Sequence, residues 1–253
     1  MVHTGILLIM GLLAVLSAAV PLGVMLLLRR RGGPWPAFWV GAGTFFLFAL
    51  VLEPILHRLV LPSSLGTVIQ GNIWLYGLYG GLAAGVFEET GRYLAFRLVL
   101  RRRRARITAL SYGIGHGGCE AFLLLGVTML NNIAIVLMLR NGTSLPPELE
   151  GAVQTLAAVP VTTFLWGGFE RISAMVFHMA ASVLVFTAAA RPGKRWLFPL
   201  AIVLHLVLDM AAVVSNACLP VAATELLTAA LALASAWLAA RVYKNLSPEA
   251  EIT

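Results

Sequence analysis

From Thr4 to Leu28 the chain carries no charged side chain. An α-helix rises about 1.5 Å per residue, so about 20 residues cross a hydrocarbon core of about 30 Å. Runs of comparable length recur at 35–59, 73–100, 107–138, 167–190, 196–218 and 221–243. Inside lipid every backbone N–H and C=O must be bonded within the protein, so such runs predict helices. The expected fold is all-α: a polytopic bundle of about seven transmembrane helices. Composition agrees. The chain is 60% hydrophobic and 11% charged with mean hydropathy +0.90, whereas a soluble domain carries about a quarter charged residues.

The net charge of +7 does not indicate a nucleic-acid partner, because the basic residues cluster between apolar runs. Arg29–Arg31, Arg101–Arg106, Arg191 with Lys194 and Arg195, and Arg241 with Lys244 fall on one membrane face when the seven runs alternate. The positive-inside rule makes that face cytoplasmic, with the N-terminus outside and the C-terminus inside a bacterial cytoplasmic membrane. The start "MVHTG" lacks the basic residues of a signal peptide, so the first run is expected as a retained anchor. The segment 146–168 has a short apolar part interrupted by Pro160. It is expected to be an interfacial or re-entrant helix on the outer side, ended by Gly167-Gly168. Connections are too short for a second domain, so residues 1–253 form one membrane domain with a core at about 73–218. Cys119 and Cys218 lie in apolar runs and are expected as buried free thiols.

An ionisable side chain at mid-bilayer costs about 2.5–3.5 kcal/mol on insertion scales and usually marks function. Here there are many: Glu88, Glu89 and Arg92 on the third run, His116 and Glu120 on the fourth, Glu170, Arg171 and His178 on the fifth, His205 and Asp209 on the sixth. At 1.5 Å per residue, Glu88 lies roughly 20 Å from the cytoplasmic end, His178 roughly 18 Å, and His116 and His205 roughly 14 Å. Four helices thus bring polar groups to one layer. Glu88/Arg92, His116/Glu120 and His205/Asp209 are i,i+4 pairs, each on one helix face, and lipid cannot satisfy them. A polar chamber with apolar side chains above and below is expected. Glu170-Arg171 also fits a structural ion pair, and Glu53, His57 and Arg58 fit an outer interface. Around His116, "GIGHGG" allows close helix packing and leaves a slot for another backbone or a substrate strand.

Imidazoles from three helices with carboxylates among them suit a divalent metal, zinc above all, which in catalytic sites takes about three protein ligands. His116, His178, His205 and Asp209 are the candidate ligands, with Asp209 either on the metal or orienting His205. Glu88 or Glu89 would act as general base on a water and return the proton to a leaving amine. Arg92 would hold a carboxylate or meet negative charge on the carbonyl oxygen. Glu120, Glu170 and Arg171 would support the site. No HExxH is present.

Taken together, "EETGRY", "GIGHGGCE", "ERISAMVFH" and "HLVLD" resemble the YhfC family of intramembrane metalloproteases over roughly Trp74 to Val214. That family resembles in turn the type II CAAX prenyl endopeptidases, the PrsW proteases and the APH subunit of gamma-secretase. The resemblance implies a glutamic-type or metal-dependent helical peptidase. Glu88 and Glu89 take the first-motif roles with Arg92 as basic partner; His116 resembles the second-motif histidine, and His205 with Asp209 the last motif. The arginine comes one residue early (EExxR against EExxxR) and Asp209 stands where Asn is usual. His178 need have no counterpart. The expected activity is hydrolysis of a peptide bond in a transmembrane or lipid-anchored protein or peptide. The same residues would also suit a non-catalytic scaffold with helices locked by a polar layer, or a proton-coupled transporter, although no internal repeat of the kind many transporters carry is visible.

Overall fold

The computed structural model describes residues 3–143 and 146–246, and no strand occurs among them. Helix α1 (Thr4–Arg30) is followed by α2 (Trp35–Leu47), which passes through a π-helical turn, Phe48–Leu52, into α3 (Glu53–Val60). A short α4 (Ser64–Gln70) precedes α5 (Ile73–Leu94), which ends in a second π turn, Ala95–Val99. A third π turn, Ala121–Gly126, joins α6 (Ile107–Glu120) to α7 (Val127–Arg140). Then come α8 (Pro147–Ala158), α9 (Val161–Ala190), α10 (Leu197–Cys218) and α11 (Val221–Lys244).

Among the described residues six stretches are long and apolar enough to cross a membrane: Thr4–Arg30, Trp35–Val60, Ile107–Arg140, Val161–Ala190, Pro192–Cys218 and Val221–Lys244. Helix α5 runs beside them through the bundle. Its 22 residues span about 33 Å, and Leu75, Leu78, Leu82 and Val86 form an exposed stripe suited to lipid. Its glycines, Glu88, Glu89 and Arg92 dilute its apolar character. The protein is a helical polytopic membrane bundle.

The expected interfacial helix at 146–168 is divided differently. Helix α8 ends at Ala158, Val159 is extended, and Pro160 caps the start of α9. Proline suits a helix start because the first N–H groups have no partner there. Gly167 and Gly168 therefore lie inside a helix of 30 residues, and the fifth span begins at Val161 rather than at 167. Helix α8 packs through Val153 into a cluster with Ile6, Met10, Met129 and Val136. The cysteines also depart from expectation: Cys119 is half-buried and Cys218 is exposed near the end of α10.

Glycines set the spacing of the central helices. Gly77, Gly81 and Gly85, four residues apart, lie on one face of α5 against Met210, Leu206 and Ile202 of α10. On α6, Gly113 and Gly117 meet the backbone of Met179 and Met175 on α9, Gly115 meets Phe38 of α2, and Gly118 meets Pro21 of α1. A Cβ at any of these would collide or press hard on its neighbour. Neighbouring helices thus pack directly against the glycines beside His116. Tyr112, Leu184, Val185 and Leu197 close the bundle on one side of the polar layer. At that same end the basic segments meet. Arg97 donates to the Ala189 carbonyl (3.2 Å), and Arg106 to those of Tyr243 and Leu246 (3.4 Å each).

Candidate active site

Because α5 turns about 100° per residue, adjacent acids on it face different neighbours. Glu89 continues the glycine stripe, one turn beyond Gly85, and so meets α10. Its Oε1 lies 2.9 Å from His205 Nδ1. Glu88 and Arg92 face α6 and α9 instead. Glu88 Oε2 lies 2.8 Å from His116 Nε2 and 4.0 Å from His178 Nδ1, and its Oε1 lies 4.0 Å from His205 Nε2. The three rings follow one another, His116 tilted against His178 and His178 edge-on to His205. His116 and His178 centroids are 4.7 Å apart, those of His178 and His205 5.6 Å, and Phe45 and Phe177 close on the edges of His116 and His205.

Arg92 is wholly buried. Nη1 donates to the His178 carbonyl (3.0 Å) and to Ser182 Oγ (3.2 Å), and Nη2 donates to His178 Nδ1 (3.0 Å). Its Nε lies 3.4 Å from Glu89 Oε2. A guanidinium only donates, so His178 Nδ1 must be the accepting nitrogen. The ring proton then sits on Nε2, which lies 2.6 Å from Glu120 Oε2. Glu120 also accepts from Arg171 Nη1 (2.5 Å), and Arg171 donates to Glu170 as well. One carboxylate thus bridges the two basic side chains of α9 that stand seven residues apart.

A cavity of about 110 Å³ joins these groups. Glu88, Glu120, Arg171, His178, His205 and Asp209 all line it, with Glu170 and Thr228 also on its wall. Glu89, Arg92 and His116 do not line it; they stand behind it. The apolar closure expected on both sides is present on one only. Towards the Cys218 end the wall is Glu170, Arg171, Asp209 and Thr228, and the side chains of Glu170 and Asp209 are each 31% exposed. The protein itself does not enclose the layer at that end.

The ligand atoms of Glu88, His116 and His178 lie within 4.8 Å of one another, and all three residues are buried. A carboxylate and two imidazoles are the donors a catalytic divalent metal takes while keeping a position open. His116 Nδ1 is buried without a partner, so that ring is tied only through the nitrogen on Glu88. The donor types fit a metal ion, provided that His178 Nδ1 exchanges its Arg92 N–H for the ion. The set takes in Glu88, which the sequence reading did not count as a ligand; His205, held through Nδ1 by Glu89, keeps Nε2 4.0 Å from Glu88 Oε1, and Asp209 lies 3.5 Å from that nitrogen. One group that the sequence assigns to an outer interface is paired in the structure. Buried Glu53 meets His57 Nε2 (3.1 Å), and His57 Nδ1 meets the Tyr79 hydroxyl (2.9 Å). The i,i+4 spacing of Glu53 and His57 was the available signal.

Comparison with known proteins agrees with this architecture. The profile of the YhfC intramembrane metalloprotease family matches residues 16–231. The chain is 34% identical over 216 residues to the uncharacterized membrane protein YhfC of Bacillus subtilis (strain 168), covering 81% of this chain and 83% of that protein. No solved structure matches it. With a family profile spanning most of the bundle, including every residue of the polar layer, the chain belongs to the YhfC intramembrane metalloprotease family.

Proposed function

We propose that the protein is an intramembrane peptidase that hydrolyses a peptide bond of a transmembrane or lipid-anchored protein or peptide. The observation that carries this reading is the convergence of Glu88, His178 and His205 around one cavity with a polar, partly exposed wall, with His116 bonded to Glu88 from behind it. A scaffold would need the polar layer but not the cavity.

Glu88, His116 and His178 would hold a divalent metal, with zinc the favoured ion. Such an ion supplies Lewis acidity that polarises a carbonyl and makes water more acidic. His205 is the residue best placed for proton transfer. Glu89 fixes its Nδ1 side at 2.9 Å, which leaves Nε2 turned to the cavity as the basic atom. There it takes a proton from water and passes it to the leaving amine, as a general base and then acid. Glu89 and Arg92 are positioning residues: neither lines the cavity, and each holds an imidazole in orientation. Arg171 and Asp209 stand where the peptide enters. The basic end is cytoplasmic, and the cavity opens towards the outside.

The test combines turnover and metal content. Membranes of cells making the wild type or Glu88→Gln are compared by mass spectrometry of new protein N-termini. Wild type should generate termini inside membrane segments, and Glu88→Gln should generate none; equal sets from both sink the peptidase reading. Purified protein should carry about one zinc per chain, as a three-ligand catalytic site does. His116→Ala and His178→Ala should lose it, while His205→Ala should keep the metal and lose turnover. Loss of metal in His205→Ala would return that residue to the ligand set.

A further inference from the structure

The run "RRRRAR" at 101–106 follows α5. Orienting a membrane protein requires positive charge in such a loop and nothing more. The structure adds a shaped cleft of about 190 Å³, with Arg97, Arg101, Arg103 and Arg104 around it. Its floor is apolar: Phe96 and Phe186 line it and are almost wholly buried. Arg97 belongs to the helix itself, within the π turn Ala95–Val99, and donates one N–H to the Ala189 carbonyl at the end of α9. A guanidinium has five N–H groups, so most of those on Arg97 remain for another acceptor. No carboxylate lines the cleft among the described residues. Four arginines therefore border a cleft that two aromatic side chains also line, with no carboxylate on its wall among the described residues.

We propose that this cleft binds a phosphate group at the headgroup level of the arginine-bearing membrane face. Guanidinium forks match phosphate oxygens in pairs, and basic pockets between transmembrane helices are suited to anionic headgroups. The apolar floor suits the glycerol and acyl part of a lipid. A soluble phosphate compound offers the same anion without that part.

The test is native mass spectrometry of the full chain in detergent with phosphatidylglycerol, phosphatidylcholine or inorganic phosphate. The site variant is Arg97→Gln with Arg101→Gln. The control is Arg29→Gln with Arg30→Gln, which removes equal charge from the last turn of α1, another basic cluster. Wild type should retain phosphatidylglycerol about tenfold over phosphatidylcholine, the scale expected for several arginines near a charged headgroup. The site variant should lose that preference, the control should keep it, and inorganic phosphate should displace the lipid. Arginine-dependent binding of inorganic phosphate without lipid retention assigns the site to a soluble phosphate. If the site variant fails to fold, Arg103→Gln with Arg104→Gln should show the same loss. Equal losses in site variant and control, or none in the site variant with either ligand, overturn the proposal.

Discussion

Arg92 is the residue whose burial asks most of its surroundings. It is fully enclosed at the depth of the polar layer, and its charge is matched by Glu89, the His178 carbonyl, His178 Nδ1 and Ser182. Removing one member of a buried ion pair strands the other, at a cost of about 3–5 kcal/mol, whereas removing both costs much less. Arg92→Met should therefore destabilise the protein by about 3–5 kcal/mol, and Glu89→Gln added to it should restore part of the loss. Thermal unfolding in detergent measures both; a double variant as unstable as the sum of the singles would show that Arg92 is held by something other than this pair. The sequence made Glu88 and Arg92 legible as one face, since four residues separate them. It could not tell which of the adjacent acids borders the cavity. That depends on the rotation of α5 against α10, set by Gly77, Gly81 and Gly85 meeting partners more than a hundred residues away.

The glycine stripe is the device of the element scale. Gly81 approaches Leu206 so closely that a Cβ there would lie 2.7 Å from its carbonyl oxygen, whereas beside Gly80 a Cβ would meet nothing within 4 Å. Gly81→Leu should force α5 from α10, costing about 1–3 kcal/mol as overpacking does, and should abolish turnover by parting Glu89 from His205. Gly80→Leu, next to it in sequence, should leave both stability and turnover near wild type. If the two substitutions act alike in melting temperature and activity, the stripe does not set the spacing. Such small-xxx-small spacing is readable in an apolar helix, but the partner helix is not. Other local features were hidden for a different reason. Each π turn inserts a residue into the helical period: Phe48–Leu52 lies just before Glu53, and Ala121–Gly126 just after Glu120. A face projected at 3.6 residues per turn drifts across such a turn. The boundary at Pro160 failed differently, because a proline read as interrupting a segment instead begins a helix.

On the scale of the whole molecule, the arginine clusters and the cavity mouth occupy opposite ends. Helix α10 begins just after Arg195 and ends at Cys218, passing His205, Asp209 and Ala212 on the way. The wall beyond Asp209 is polar, while Tyr112, Leu184 and Leu197 seal the arginine side. If the arginines are cytoplasmic, water and substrate reach the polar layer from outside. Cys218 provides the measurement, since it is exposed and near the last turn before Leu219 and Pro220. In intact cells a membrane-impermeant maleimide should label Cys218 and should not label a Cys218→Ser variant, whose remaining thiol, Cys119, is half-buried within α6. In a Cys218→Ser background, Ala212→Cys places a thiol on the cavity wall. A small charged thiosulfonate added outside should react with it and stop turnover. Labelling of Cys218 only after the membrane is opened would invert the topology and put the cavity mouth in the cytoplasm. Labelling of Cys218 without reaction at Ala212→Cys would mean that the cavity is closed to water from that end and that substrate must enter sideways from the lipid.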